Sequence, residues 1–296
     1  MKSYHNLVKT AVGGLLCLAT TQAFSAPADL NVKTINVPAY NLISDSLIAM
    51  TPNVEGKRND FLMQLVCDLA RGDKNQQDIK AILSSNKIDY DSIPQKGSPL
   101  SILVNNNKED QSSVCTAYIA SSFFFPIDNS ALFDKVKDKA GKEAVQLNQD
   151  RFNGEMKVKM SIAQATAQLY AVIANNVKND GSLTWNDYQQ SVANIVYNYA
   201  PQYLHSLTTI YASERSSFTP VALGTNSLSV IDSTGKELTV NSTGLTLKSR
   251  GVAWLGDGKI LGKEYFYPIK VIAGENKKEI PKQSNVVKKV KKGSAN

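Results

Sequence analysis

Leu228-Ser229-Val230-Ile231-Asp232-Ser233-Thr234-Gly235-Lys236-Glu237-Leu238-Thr239-Val240 places apolar residues at alternate positions on both sides of an Asp-Ser-Thr-Gly link. Alternation interrupted by turn-forming residues predicts strand, turn, strand. Downstream the same grammar continues. Thr243-Gly244 opens a strand through Leu247, Val252–Leu255 and Ile260-Leu261 flank Gly256-Asp257-Gly258 as a hairpin, and Tyr265–Ile272 alternates once more. Five or six short strands over 216–274 suffice for a small sandwich or barrel near the lower size limit of an independent core. Such a unit is expected to pack on the rest of the chain.

Upstream of Phe218 the period changes. Leu62, Leu65, Val66 and Leu69 stand at i, i+3, i+4 and i+7, one stripe of a helix capped by Asn59 or Asp60. Asp78 opens a second helix with Ile79, Ile82 and Leu83, and Pro99–Val104 starts a third. Residues 111–124 read as a fourth, with Val114, Ala117, Tyr118 and Ser121 on one side, and 130–149, 156–177 and 185–213 as three longer ones. Residues 26–58 hold Pro27, Pro38 and Pro52 and read as an extended lead-in with one strand near Val32–Val37. The expected fold class is α+β: a helical domain at 59–215, a small all-β domain at 216–274, and a disordered, lysine-rich tail at 275–296.

The first 25 residues resemble a secretory leader. Lys2 and Lys9 lead without an acid, Ala11–Ala19 is a short apolar run, and Ala23-Phe24-Ser25 puts small residues at −3 and −1 of a cleavage site. Ala26-Pro27-Ala28 offers a second cut, so the mature chain is expected to begin at Ala26 or Asp29. The apolar run falls short of the roughly 20 residues that span a bilayer. Leu16 before Cys17 is not the small residue that lipid attachment needs. The expected destination is the periplasm of a Gram-negative cell or its medium, with no transmembrane segment.

Net charge is +7, but it sits at the ends. The leader holds two lysines, and the tail holds seven lysines with Glu275 and Glu279. That leaves 24 basic and 24 acidic residues between them. A nucleic-acid binder concentrates positive charge on a folded face, so nucleic acid is not an expected partner. The tail lysines Lys288, Lys289, Lys291 and Lys292 are candidates for contact with anionic lipid or lipopolysaccharide, at about 1 kcal/mol each.

Without Cys17 two cysteines remain, Cys67 and Cys115. An even count in an oxidising compartment implies one disulfide, worth about 4 kcal/mol in the chain-entropy model. Two cysteines and the one mature histidine do not make a zinc site.

Two stretches resemble known modules. Leu62–Arg71, Asp78–Ser85, Ile88–Asp91 and Gly97-Ser98-Pro99-Leu100 are similar to an ankyrin repeat, with Ser98-Pro99-Leu100 in the Thr-Pro-Leu place and Val114–Ile119 as the next outer helix. The resemblance covers about 60–125 and implies a protein-binding scaffold without chemistry. Asn176–Asp187 resembles an EF-hand loop, with Gly181 at the turn, Leu183 at the apolar position and Asp187 last. Lys178, however, stands at a ligand position where a carboxylate belongs. The alternative is a helix–helix turn with Thr184 or Ser182 as cap. No metal or other cofactor is expected.

Catalytic candidates are few. His205, on the 185–213 helix, is the sole mature histidine and has no acid at i±4. Ser84-Ser85-Asn86-Lys87 and Ser233-Thr234-Gly235-Lys236 match Ser-x-x-Lys spacing without the companion motifs of serine–lysine acylases. Tyr188, Tyr197, Tyr199, Tyr203 and Tyr211 are spread over more than one face of their helix, which suits either an interface or a fully buried helix. The expected function is a non-catalytic protein-interaction factor, directed at an envelope protein, an export channel, a host or a competitor, in the manner of a virulence or modulator protein. The alternative is a cell-envelope hydrolase using His205.

Overall fold

The computed structural model describes residues 32–35, 39–54, 56–124, 128–178, 180, 182–241, 244–249, 252–255 and 269–272. The leader, the lysine tail and the Gly256–Gly258 hairpin expectation lie outside them. The architecture is α+β. Among the described residues no helix is long and apolar enough to cross a membrane.

The chain runs from strand β1 (Val32–Ile35) into helix α1 (Ala39–Met50). This corrects the extended lead-in. Ile43 and Leu47 are fully buried one turn apart and Met50 packs beside them, so a core stripe drives the helix. Pro52 follows the last turn, where proline is tolerated. A minimal ribbon, β2 (Asn53–Val54) with β3 (Lys57–Arg58), turns at Gly56.

Helix α2 (Asp60–Arg71) starts on Asn59, whose side chain accepts from Leu62 N, and stops at Gly72 in the left-handed region (φ 78°). In the last turn of α2 Asp68, 4% exposed, gathers Gln64, Arg71 and Lys74, while the Lys108 ammonium caps Leu69 O. Cations at a helix C-terminus are favourably placed. Helix α3 (Gln76–Ser85) opens on a capping box of Asn75 and Asp78.

Ser98 then accepts from Leu100 N with Pro99 at the first helical position, as the ankyrin-like reading requires of its cap. The element it caps, Pro99–Leu103, is a short 3-10 helix and not the expected α-helix. Asn106 (φ 54°) reverses the chain and Asn107 caps α4 (Lys108–Ser121). Leu62, Val66, Ile79, Leu83, Leu103 and neighbours form a small core between α2, α3 and this loop.

Residues 130–149 depart from the helical expectation. They form a hairpin of β4 (Phe133–Lys137) and β5 (Glu143–Leu147), pairing Lys135 with Val145 and Lys137 with Glu143. Two long helices follow, α5 (Gln149–Asn176) and α6 (Trp185–Ser213), the latter with the bounds the sequence pattern sets. Thr184 and Asp187 form a capping box between them.

Strands β6 (Phe218–Gly224), β7 (Ser227–Asp232), β8 (Lys236–Asn241), β9 (Gly244–Ser249) and β10 (Val252–Leu255) make one antiparallel meander in sequence order. Leu228, Val230, Leu238, Val240, Leu245 and Leu247 line its inner face. They share a core with Phe152, Met156, Met160 and Tyr170 of α5 and with Tyr188, Val192, Val196 and Tyr203 of α6. The sheet's second layer is therefore helical, and position 215/216 separates two kinds of secondary structure but not two cores. Both edge strands carry a register shift, at Pro220/Ala222 and at Ala253/Leu255, which disfavours edge-on pairing. Strand β11 (Ile269–Ile272) pairs with β1 and covers the end of the strand expected at Tyr265–Ile272.

Candidate functional site

Cys67 of α2 and Cys115 of α4 form a disulfide with Cα atoms 4.9 Å apart. Both cysteines are buried where the two helices cross. A covered disulfide meets neither reductant nor thiol partner, so it acts as a staple and not as a redox centre.

A cleft of 490 Å³ opens where α6 ends, lined by Gln164, Ile210, Glu214, Arg215, Ser233 and Lys236 among others. The Glu214 N–H closes α6 on Ile210 O, and its carboxylate, in a residue 8% exposed, turns inward. Oε1 of Glu214 accepts from Ser216 N (2.8 Å) and Oε2 from Gln164 Nε2 (3.5 Å). Gln164 Oε1 accepts from Lys236 Nζ (3.3 Å), which lies 3.7 Å from Asp232 Oδ2. Asp232 Oδ1 takes three donors: Thr234 N, Thr234 Oγ1 and Lys236 N.

Burial works against ionising Asp232, yet the Thr234 hydroxyl, the turn N–H groups and the Lys236 ammonium outweigh it and hold the carboxyl below its usual range. For Glu214 burial is likewise overcome, by Ser216 and Lys236. The result is a polar chain from α6 through α5 to the β7–β8 turn, carboxylate to neutral amide to ammonium to carboxylate. Each central group is engaged by a hydrogen bond or an ion pair. The arrangement latches sheet to helices. The Ser233/Lys236 pair of the Ser-x-x-Lys match falls inside this latch, with Gly235 (φ 84°) forming the turn.

Other sequence candidates are dispersed. His205 is exposed on α6 and lies outside the cleft lining. Its backbone carbonyl accepts from Thr209 Oγ1. Lys87 follows the end of α3 at φ 62°. Asp89 caps a short turn, while Asp91 pairs with Lys80. In the EF-hand-like stretch, Asp187 serves the α6 cap and Asp180 accepts from Ser182 N. No three His, Cys, Asp or Glu side chains converge as a metal site among the described residues. The tyrosines divide by face. Tyr188 and Tyr203 are core, and burial pushes both hydroxyls up, with Tyr203 also paired to Thr166. Tyr197 reaches Glu109, and Tyr211 is exposed under Lys157.

The β4–β5 hairpin is the feature the sequence pattern missed. Its turn is locked by Asp138, whose Oδ1 accepts from Ala140 N and Lys142 N, with Gly141 at φ 76°. Its base is fixed by Arg151 to Asp134 and Ala131 O, by Asn148 to Asp134, and by Phe133 and Leu147 against the main core. Beyond the base, Lys135, Lys137, Lys139, Lys142, Glu143 and Val145 are exposed or half-exposed, Val145 at 71%. None of the four lysines forms an ion pair among the described residues.

Searches against protein families, curated proteins and solved structures find no match for this chain.

Proposed function

We propose that the protein is an exported, non-catalytic interaction factor that acts by binding another protein. The observation that carries this reading is the β4–β5 hairpin, an ordered two-stranded element outside the core with an exposed valine and four lysines that form no ion pair among the described residues. Two strands alone are at best marginally stable in water, so an ordered hairpin with a contact surface suits a docking role. The buried Cys67–Cys115 bridge supports export, because disulfides persist in oxidising compartments. Contact of Lys288, Lys289, Lys291 and Lys292 with anionic lipid or lipopolysaccharide is a secondary part of the proposal.

Fractionation of producing cells with chemical cross-linking tests it. The expected product begins at Ala26 or Asp29, lies in the periplasm or medium with both cysteines oxidised, and travels with a defined protein. His205→Ala is expected to keep the phenotype. Intact Met1 in the cytosol with free thiols refutes the export reading, and a hydrolytic activity lost in His205→Ala refutes the non-catalytic one.

A further inference from the structure

Resting on that reading, we infer that the β4–β5 hairpin is the docking arm and that it seats against an acidic surface of a partner protein, with Val145 as the apolar anchor.

The fold does not need the excursion. Asn148 N donates to Leu132 O at 2.9 Å, so the chain returns to the point it left. Phe133 and Leu147 supply the apolar contact with the core, and the residues beyond them are exposed or half-exposed. Ordering those residues costs conformational entropy. Turn and base chemistry nevertheless hold them in one shape, which lowers the ordering cost of binding.

Side-chain alternation then sorts the surface. Opposed residues in a ladder share a face, so Lys135, Lys137, Glu143 and Val145 project together with the core-packed Phe133 and Leu147 at the base. Lys139 and Lys142 sit at the tip. The acids offset these charges only in part: Asp134 is taken by Arg151 and Asn148, while Asp138 and Glu143 stand against Lys135, Lys137, Lys139 and Lys142, which leaves the arm net positive. An exposed apolar side chain among unpaired cations matches a partner surface with a shallow apolar dent and carboxylates around it.

A bilayer fits less well. The tip, Lys139-Ala140-Gly141-Lys142, carries no large apolar side chain to insert into the acyl region.

Site-specific photo-cross-linking in the full chain tests the inference. Benzoylphenylalanine replaces Val145 in one version and Val221, exposed on the edge strand β6, in another. The expected adduct forms from position 145 with a peptide of another protein rich in Asp and Glu. Its yield should fall about tenfold with Lys135→Glu/Lys137→Glu, and again with Lys139→Glu/Lys142→Glu at the exposed turn. Circular dichroism and an oxidised disulfide certify the fold of each variant. An adduct from 145 with lipid, with a second copy, or with a non-acidic peptide overturns the inference. So does a yield unmoved by charge reversal. Adducts from Val221 alone overturn the arm but leave the interaction reading standing, whereas adducts from neither position overturn both.

Discussion

Replacing Cys67 and Cys115 together by alanine isolates the contribution of the staple. The bridge closes a loop spanning 48 positions, and its loss returns about 4 kcal/mol of entropy to the unfolded chain. Both side chains are buried, so truncating them leaves small voids between α2 and α4 costing on the order of 1 kcal/mol more. The sum is about 5 kcal/mol, a large share of the roughly 5–15 kcal/mol typical of whole proteins. Urea unfolding followed by far-ultraviolet circular dichroism reads it directly. With a slope of roughly 2–3 kcal/mol per molar, the midpoint should drop by about 2 M, and the oxidised parent in dithiothreitol should move the same way once its chain is open. A double variant within about 1 kcal/mol of the oxidised parent would refute the reasoning, as would two titratable thiols in the natively folded parent.

Local geometry sets the remaining outcomes. Asp232→Ala removes a buried acceptor of three hydrogen bonds and should cost about 2–4 kcal/mol in urea unfolding. Glu214 and Asp232 both titrate below their unfolded values, so their stabilisation is complete above the unfolded carboxylate range, about pH 4. It is lost as pH falls through the lower folded values. A Glu214→Gln/Asp232→Asn variant should therefore lose less stability over that acid window, and an unchanged slope would remove the latch as a pH-linked element. Gly154 lies inside α5, and the space its missing Cβ would occupy has no neighbouring atom within 4 Å, so Gly154→Ala should raise the urea midpoint by an amount worth about 0.5–1 kcal/mol. Thr184→Ala breaks the α6 capping box and should lower stability by about 1 kcal/mol, read as a lower melting temperature.

Particular residues show which parts of the fold were legible in sequence. Helix α6 declared itself because Val192, Val196, Ala200 and Tyr203 hold one buried face between a clear cap and a clear stop. The β7–β8 pair was plain from alternation. The β4–β5 hairpin was not, because Lys, Glu and Ala are good helix formers and masked a period of two. The signal was present nonetheless. Asp138-Lys139-Ala140-Gly141 builds the same turn as Asp232-Ser233-Thr234-Gly235, with the Asp carboxylate accepting two and four residues on and glycine at positive φ. Helix α1 was hidden by flanking prolines that in fact bracket it. The latch had no local signature, since Gln164, Glu214 and Lys236 meet only through tertiary packing.

The Cys67–Cys115 bridge and the β1–β11 ribbon differ sharply in how much chain must exist before each can form. The crosslink closes within the first half of the molecule, whereas Val32 meets Ile272 only after nearly all of the polypeptide is made. For a chain emerging amino end first, covalent closure can precede completion of the sheet, and among the described residues the β1–β11 ribbon is the pairing that needs the most chain. Nascent chains arrested shortly after α4 should already oxidise, which makes the α2–α4 crossing a checkpoint that can be passed while the rest of the protein is still unwritten.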